Sequence, residues 1–357
     1  MKKGIRNPVS AYPKKRLLRA LAGETLALPS WWLMRQAGRY LPEYRSIRTK
    51  ARDFVELCLT PALAAELTMQ PLRRYGMNAA ILFSDILLLP YALGQRLSFR
   101  EGEGPVLDPV ADGAAVARLD PGRIASRLGP VFEAAGRVRA GLDDTTALIG
   151  FAGAPWTVAA YMVEGGTSRD FVRVRSWAYR DPAGFAALID LLVAGTVELL
   201  TGQIEAGAEV VQLFDSWAGV LPETAFERWV IAPTRQIVAA LEARFPEVPV
   251  IGFPRGAGLL FERYRAETGV TALGLDTAVP LVYAAERLQR QGPVQGNLDP
   301  AVLMTGGTTL AAAVGALRRK LGCGPWVFNL GHGVLAQTPP ENVAELAALL
   351  AGPQASA

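Results

Sequence analysis

The sequence predicts an α/β protein built as one (β/α)8 barrel, the TIM barrel architecture. Eight short apolar runs recur along the 357 residues, and stretches with helical periodicity separate them. The runs are apolar throughout instead of alternating with polar residues, which indicates parallel strands covered on both faces. The predicted strands are Trp31–Met34, Ala79–Phe83, Ala147–Phe151, Val210–Phe214, Val248–Phe253, Ala272–Leu275, Val294–Gly296 and Trp326–Leu330.

Helical patterns lie between these runs, and several begin with Pro or Thr and end near Gly, as helices commonly do. A doubly wound open sheet is the main alternative architecture. It would favour a G-x-G-x-x-G turn after the first strand, and the sequence has no such turn there. The predicted helices include Pro61–Tyr75, Pro182–Ala206, Thr224–Arg244, Gly258–Thr268, Pro280–Gln291 and Thr308–Lys320.

A single domain is expected, because α/β barrels of this length form one domain even though ~150 residues per domain would suggest two. We expect the barrel over residues 30–351, an N-terminal extension over 1–29 that packs on it, and a frayed tail over 352–357. The connections after the second and third predicted strands are about sixty residues each. Connections of that length are predicted to carry extra helices.

Composition argues against several classes of function. Half of the residues are hydrophobic and the net charge is only +4, with basic residues mostly scattered, so nucleic-acid binding is not expected. The most apolar long stretch, Phe185–Leu200, contains Asp190 and Glu198, which indicates a packed helix and not a membrane span. No apolar signal segment follows the basic N-terminus, and two cysteines suit a reducing compartment, so a cytoplasmic location is expected.

Charged and polar side chains directly follow the predicted strands. In barrel enzymes the carboxyl ends of the strands surround the active site. Arg35, Asp85 and His332 each stand against an apolar run, which makes them candidate functional residues. Three other polar residues at strand ends are interpreted as helix caps, namely Asp276, Asn297 and Asp299.

Metal and nucleophile chemistry have little support in the sequence. His332 is the only histidine, and with two distant cysteines it does not supply the three or four ligands of a zinc site. Ser84 or Ser216 with His332 would lack the G-x-S-x-G elbow of a hydrolase triad. A carboxylate-only Mg²⁺ site remains open, with candidate ligands Asp85, Asp215 and Asp276.

Two arginines suggest an anionic ligand. Arg35 and Arg39 flank a glycine-containing turn, and a guanidinium binds carboxylate or phosphate through two parallel hydrogen bonds. A phosphate held by the turn Gly331–Gly333 is an alternative, but it would leave both arginines without a role. Several aromatic residues near the strand ends fit an apolar floor for a bulky planar ligand, namely Trp32, Phe83, Phe151, Trp156, Phe214, Trp217 and Phe253.

These segments resemble the uroporphyrinogen decarboxylase family. Trp32–Arg45, WLMRQAGRYLPEYR, resembles the first family signature, and Gly150–Gly166, GFAGAPWTVAAYMVEGG, resembles another. The motifs FSDIL, QLFDSWAG, GFPRGAG, QGNLDP and FNLGHGVLAQTPPENV also match. The resemblance extends over nearly the whole chain, from about Asn7 to Asn342.

The resemblance implies a homodimeric (β/α)8 barrel that needs no metal or organic cofactor. It implies removal of CO2 from the four acetate side chains of uroporphyrinogen III, giving coproporphyrinogen III in haem biosynthesis. Asp85 and Arg35 would be the catalytic residues, and Arg48 and Phe151 are additional candidates near the site. The implied substrate contacts are Arg35, Gln36, Ala37, Gly38, Arg39, Asp85, Tyr161, Ser216 and His332.

Chemistry gives these residues distinct expected roles. An ionised Asp85 would accept hydrogen bonds from the pyrrole N–H groups and stabilise a protonated, cationic ring. Arg35 would position the reacting carboxylate or take part in proton transfer, although a free guanidinium is a poor acid. Tyr161, Ser216 and His332 would hold carboxylates by hydrogen bonds.

Two other functions remain as alternatives. A corrinoid- or homocysteine-dependent methyltransferase on the same barrel would need zinc with Cys and His ligands near the late strands, where only Cys323 lies. A non-catalytic tetrapyrrole carrier would keep the apolar floor and the arginines but would not need Asp85. The presence of Asp85 favours catalysis.

Overall fold

The computed structural model describes residues 14–100 and 104–352. Eight parallel strands form one nearly closed barrel, which confirms the predicted α/β barrel class. The strands within the described residues are β1 (Ser30–Trp31), β2 (Ala79–Ile81), β3 (Leu97–Arg100), β4 (Gly104–Leu107), β5 (Ala147–Gly153), β6 (Val210–Asp215), β7 (Val250–Pro254), β8 (Ala272–Gly274), β9 (Val294–Gln295) and β10 (Trp326–Phe328). Around the barrel the order is β1, β10, β9, β8, β7, β6, β5 and β2.

Helices cover the outside of this barrel. Short π-helical segments, Glu227–Ile231 and Ala284–Leu288, interrupt two of them. The α-helices are α1 (Arg16–Leu21), α2 (Pro42–Arg48), α3 (Phe54–Leu59), α4 (Pro61–Tyr75), α5 (Leu88–Ala92), α6 (Gly113–Val116), α7 (Ile124–Gly141), α8 (Pro155–Glu164), α9 (Val172–Arg180), α10 (Pro182–Glu205), α11 (Glu223–Phe226), α12 (Ala232–Arg244), α13 (Leu260–Thr268), α14 (Leu281–Tyr283), α15 (Pro300–Thr305), α16 (Gly307–Leu321) and α17 (Pro340–Leu350).

One backbone bond and two side-chain bonds complete the barrel at its seam between β1 and β2. The backbone N–H of Asn78 donates to the Trp31 carbonyl at 3.0 Å, and the Trp31 N–H donates to Asn78 Oδ1 at 3.1 Å. Gln36 Nε2 donates to the Ala79 carbonyl at 3.1 Å. Since unpaired buried backbone groups are costly, these bonds replace the missing ladder and fix the start of β2 beside the end of β1.

The barrel interior is packed, and α1 closes its amino-terminal end. Leu17 and Leu21 of α1 are buried in one apolar cluster with the inward residues of the strands. A polar chain crosses this interior: Trp32 Nε1 donates to Gln295 Oε1 at 2.9 Å, and Gln295 Nε2 donates to Gln212 Oε1 at 3.0 Å. The filled interior leaves the opposite, carboxyl-terminal mouth as the place for a ligand.

All eight predicted barrel strands are present, although most are shorter than predicted. β1 ends at Trp31 instead of Met34 because side chains take over its hydrogen bonds: Leu33 N–H donates to Gln36 Oε1, and Met34 N–H donates to Asn329 Oδ1. Helix α4 has the predicted bounds. The antiparallel hairpin of β3 and β4, in the long connection after β2, was not predicted.

Helix α10 is long and apolar enough to cross a membrane by length and composition alone. In this fold it packs against α7, α8 and α12, and twelve of its residues are buried. It is therefore a core helix of the barrel, as the sequence indicated. The predicted tail lies, apart from Gly352, outside the described residues, and so do the first thirteen residues of the predicted extension.

Candidate active site at the barrel mouth

Arg35 lies at the mouth, four residues beyond the end of β1, with a backbone φ of 62°, unusual for a residue other than glycine. The loop after β10 holds it from the other side, because the Val334 N–H donates to the Met34 carbonyl at 2.9 Å. Gly333 makes room for its side chain: a Cβ there would lie 2.4 Å from Arg35 Cδ. The guanidinium itself is exposed and, among the described residues, has no ion-pair partner. This geometry aims an unpaired cation into the mouth.

We expect Gly333→Ala to lower kcat/KM about tenfold or more, because the added methyl group displaces the Arg35 side chain and small misplacements at a reacting centre are costly. The thermal midpoint should change little, since the clash is with a flexible side chain and the Gly333 φ is not in the left-handed region. Steady-state kinetics and thermal melting measure both quantities. Gly129→Ala in α7, where a Cβ meets nothing within 4 Å, is the control. Unchanged kinetics in Gly333→Ala would contradict the assigned position of Arg35.

The turn after Arg35 presents backbone N–H groups to the mouth. The Gln36 side chain is fully buried and bonded to backbone groups at the seam, so it supports the turn instead of facing a ligand. The N–H groups of Ala37, Gly38 and Arg39 have no acceptor within the described part of the protein. Successive free N–H groups of this kind form a concave site for an anion such as a carboxylate.

Asp85 follows β2 and has one oxygen committed and one free. Its Oδ1 accepts the Leu87 N–H at 2.8 Å, while Oδ2 has no partner among the described residues. Burial raises the pKa of Asp85 to about 6, against the opposing effects of the Leu87 hydrogen bond and the Arg35 charge. Arg35 and Asp85 form no ion pair, so the carboxylate remains available to donors of a ligand.

His332, after β10, is a neutral hydrogen-bonding group. Burial lowers its pKa to about 4, and the charges of Arg35 and Arg255 act in the same direction. Its Nδ1 accepts the Gly333 N–H at 2.6 Å, which leaves the proton on Nε2. His332 therefore presents an N–H donor without a positive charge.

Tyr161 lies on α8, the helix that follows β5. Burial raises the pKa of its hydroxyl. The neighbouring Trp217 indole and the charges of Arg35 and Arg255 oppose this effect, while the charge of Asp85 adds to it. The Tyr161 ring packs on Trp217 with centroids 6.0 Å apart. The hydroxyl is thus a protonated donor near the carboxylate of Asp85.

An apolar floor lies below these polar groups. The rings of Phe151 and Phe253 both pack edge-on against Phe214, with centroids 5.5 and 6.0 Å away. Phe151 and Phe214 are only partly buried, whereas Trp32 and Trp156 are completely buried core residues. The aromatic floor in the structure is therefore smaller than predicted, because Trp32 and Trp156 belong to the core instead.

Asp215 and Ser216 are neighbours in sequence at the end of β6, but their side chains differ in burial. Thr157 Oγ1 of α8 donates a short hydrogen bond to the buried Asp215 carboxylate, and burial raises the pKa of Asp215 to about 7. Thr157 Oγ1 also accepts the Trp217 N–H at 3.0 Å. Asp215 thereby ties α8, which carries Tyr161, to the end of β6, where Ser216 is half-buried.

Arg39 and Arg48 lie on the same side of the mouth, near Tyr44, since both cations lower the pKa of that hydroxyl, which burial raises. Arg48 Nη1 donates to the Ala51 carbonyl at 3.3 Å, and Arg48 is half-buried. The Arg39 side chain is exposed. Arg39 is therefore free to bind a ligand, and Arg48 lies behind it.

The later strand ends are structural. Asp276 accepts the N–H groups of Gly256 at 2.7 Å and Ala278 at 2.8 Å, and Asp299 accepts the Ala301 N–H at the start of α15. Asn297 Nδ2 donates to the Asp276 carbonyl at 2.8 Å. Asp299 therefore caps α15, as interpreted from the sequence. Asp276 and Asn297 cap no helix and instead bond backbone groups of the neighbouring loops, so the capping interpretation was wrong for these two.

The candidate metal ligands do not come together. In the described ranges no group of three or more His, Cys, Asp or Glu side chains is arranged to hold a metal ion. Asp215 and Asp276 are used by Thr157 and by backbone N–H groups. Cys323 precedes β10 and His332 follows it, so the two lie toward opposite ends of that strand.

Arg255 is a mouth residue that was not among the predicted site residues. It directly follows β7 and lowers the pKa of both Tyr161 and His332. The signal was present, because Arg255 stands against an apolar run in the motif GFPRGAG as Arg35 does in its own. Its position in the ring of strands is visible only in the fold.

Comparison with known proteins gives a consistent result. The family model described as "Uroporphyrinogen decarboxylase (URO-D)" matches residues 12–351. The chain is 56% identical to the uroporphyrinogen decarboxylase of Rhodospirillum rubrum over 346 residues, covering 97% of this chain and 99% of the relative. It is 53% identical to that of Gluconobacter oxydans over 343 residues, covering 95% and 97%.

Among solved structures, a methyltransferase from Methanosarcina mazei superposes with a TM-score of 0.72 at 18% identity, covering 94% of this chain and 97% of that one. A B12-independent methionine synthase from Shewanella superposes with a TM-score of 0.54 at 14% identity, covering 83% and 87%. At these identities the likeness shows the shared barrel fold alone.

Proposed function

The chain belongs to the uroporphyrinogen decarboxylase family, whose members are carboxy-lyases of haem biosynthesis, and we propose that it converts uroporphyrinogen III to coproporphyrinogen III. In this proposal CO2 leaves from each of the four acetate side chains without a metal or organic cofactor. The single observation that carries the proposal is the free Oδ2 of Asp85 in a mouth otherwise bordered by unpaired arginines.

The reaction needs an electron sink, which the substrate itself supplies. A proton added to a pyrrole carbon gives a cationic ring. The electron pair of the bond to the acetate carboxylate moves into that ring, and CO2 leaves. One proton then adds to the new exocyclic methylene, and the ring carbon loses its proton. The net change is one proton consumed and one CO2 released for each methyl group formed.

Asp85 is the residue that we assign to the cationic ring. Its free oxygen accepts hydrogen bonds from the pyrrole N–H groups, and its negative charge stabilises the protonated ring. A carboxylate facing a polyanionic substrate would be repelled by the rim carboxylates. It is favourable only if it faces the centre of the macrocycle, where the N–H groups and the developing positive charge are.

The substrate's carboxylates are assigned to the groups around Asp85. Arg35 and Arg39 supply exposed guanidinium groups, and the N–H groups of Ala37 and Gly38 supply uncharged donors. Arg35 is the arginine whose charge lowers the pKa of the Asp85 carboxyl. We therefore assign Arg35 to the reacting acetate. Tyr161, Ser216 and His332 act as neutral donors, Phe151 supports the macrocycle from below, and Gln36 and Arg48 support the turn.

We expect kcat/KM to fall on the acid side of about pH 6, because protonation of Asp85 removes the charge that stabilises the ring. The free enzyme carries the active, ionised form above that pH and loses it as the pH falls. Initial rates between pH 5 and 8 measure the midpoint. His332→Gln should leave that midpoint unchanged, because His332 is already neutral there. A profile that is flat through pH 6, or a midpoint that moves in His332→Gln, would contradict the assignment.

Anaerobic incubation with uroporphyrinogen III tests the function, with the porphyrins separated by chromatography after oxidation. The proposal predicts products with seven, six, five and finally four carboxylates. Unchanged substrate that nevertheless binds would favour a tetrapyrrole carrier. Parallel incubation with the I isomer measures the isomer preference.

We also propose a cytoplasmic homodimer. Leu259, in the loop after β7, is 85% exposed, and Leu335, after β10, is also exposed on the mouth side. In this proposal, contact with a second subunit removes both side chains from water. Both cysteines are unpaired, as expected in a reducing compartment.

A further inference from the structure

The backbone at Arg255 is fixed by its neighbours on both sides. Its N–H donates to the Asp215 carbonyl at 3.0 Å, and its carbonyl accepts the Gly219 N–H at 3.0 Å. The next N–H, of Gly256, donates to Asp276 Oδ2 at 2.7 Å. A Cβ on Gly219 would lie 2.5 Å from the Gly256 carbonyl oxygen, so the loops after β6 and β7 are in close contact. Arg255 therefore projects from a rigid base.

The Arg255 side chain has no such partners. It is half-buried, and within residues 14–100 and 104–352 its guanidinium has no hydrogen-bond or ion-pair partner. Its charge nevertheless reaches Tyr161 and His332, two groups that border the mouth. A partly desolvated cation without a counter-ion is costly to maintain, which is expected where a ligand supplies the anion.

The order of the strands places Arg255 across the mouth from Arg35. β1, which precedes Arg35, and β7, which precedes Arg255, are four steps apart in the ring of eight strands and so are diametrically opposite. Arg39 lies in the same turn as Arg35. Without Arg255, the arginines assigned to a macrocycle with carboxylates around its whole rim would all be those on the β1 side, Arg35 and Arg39.

We propose that Arg255 binds a propionate of the substrate on the side of the macrocycle away from Arg35. This inference rests on the proposed function and adds a substrate contact to it. A propionate is chosen because Arg35, and not the more distant cation, acts on Asp85, where the acetates react. Propionates persist through all four decarboxylations, so the contact serves every successive intermediate as the macrocycle is turned.

Kinetics of Arg255→Met test the contact. Loss of one charge-assisted, bidentate contact should raise KM about ten- to hundredfold and change kcat less than about threefold, as expected for binding shared by ground and transition states. Arg255→Lys should recover part of the loss. The factor should be the same for substrates with eight, seven, six and five carboxylates. Arg137→Met, on α7 outside the mouth, is the matched control and should match the wild-type enzyme.

The single histidine provides a second readout that does not depend on turnover. Because Arg255 lowers the pKa of His332, Arg255→Met should raise that pKa, and NMR titration of the one imidazole measures it without overlap. A KM like that of the wild-type enzyme, or an unshifted His332 titration, overturns the inference. A KM effect that disappears for the five-carboxylate substrate overturns the assignment to a propionate. Failure of the wild-type enzyme to decarboxylate would instead overturn the proposed function, and the titration would still report where Arg255 lies.

Discussion

Replacing Asp85 by alanine is expected to abolish CO2 release or reduce it at least about a hundredfold, because the cationic ring then loses the negative charge that we assign to face it. Asp85→Glu should retain a little activity, since it keeps the charge but moves it. Asp85→Asn is the closest match in shape and keeps an oxygen for the Leu87 N–H, so it isolates the effect of charge. Product analysis after anaerobic incubation measures all three variants.

The stability of these variants separates a catalytic from a structural role. Burial raises the folded-state pKa of Asp85 to about 6, above its usual value of 3.8. The folded protein therefore binds a proton more readily than the unfolded chain, and stability falls as the pH rises from about 4 to 6 and does not return above that. Asp85→Asn removes this cost, so it should be at least as stable as wild type at pH 8 while inactive. Near-normal turnover by purified Asp85→Ala would refute the role.

Replacing Arg35 by alanine should impair both binding and rate, with kcat/KM lowered about a hundredfold or more. The reason is that its guanidinium is unpaired, is aimed into the mouth and acts on Asp85. Arg35→Lys should recover only part of the activity, because an ammonium group binds a carboxylate as a point charge and not through two parallel bonds. Steady-state kinetics of each variant with uroporphyrinogen measure the loss.

Arg137→Ala provides the control for general effects of removing an arginine, since Arg137 pairs with Glu133 on the outer surface of α7. Complete recovery by Arg35→Lys would show that charge alone suffices and would contradict a bidentate contact. If Arg35→Ala lost enough thermal stability to explain its lost activity, Arg35 would have a structural role. We expect no such loss of stability. The unusual φ of 62° is already present in the wild-type protein, so replacing Arg35 by alanine adds no new backbone strain.

The fold was largely predictable because parallel barrel strands leave a strong signal. Each buried strand is an apolar run, and the eight runs are well separated by helices. The bounds of β1 were wrong because Gln36 and Asn329 side chains replace the backbone ladder there. The hairpin of β3 and β4 was missed because its strands are only four residues long and are mostly half-exposed.

The site was predictable where a charged residue stands directly against an apolar run, as at Arg35 and Asp85. The sequence alone did not show in which direction each side chain at a strand end points. Asp215 and Ser216 are adjacent in sequence, yet Asp215 ends β6 with its carboxylate bonded to Thr157 of α8, whereas Ser216 begins the turn at the mouth. Gln36 lies in the turn after β1, and its side chain is buried because it bonds the Leu33 N–H and the Ala79 carbonyl at the seam. The role of Gly333 depends on a contact between the first and last strand ends.

The most direct measurement is a crystal structure of the protein with its reduced product, coproporphyrinogen III, bound under anaerobic conditions. The account predicts the macrocycle on Phe151 and Phe214, with the Asp85 carboxylate within hydrogen-bonding distance of the pyrrole nitrogens at its centre. It predicts propionates on Arg39 and, across the mouth, on Arg255. A macrocycle bound outside the mouth, or one whose pyrrole nitrogens face away from Asp85, would contradict it.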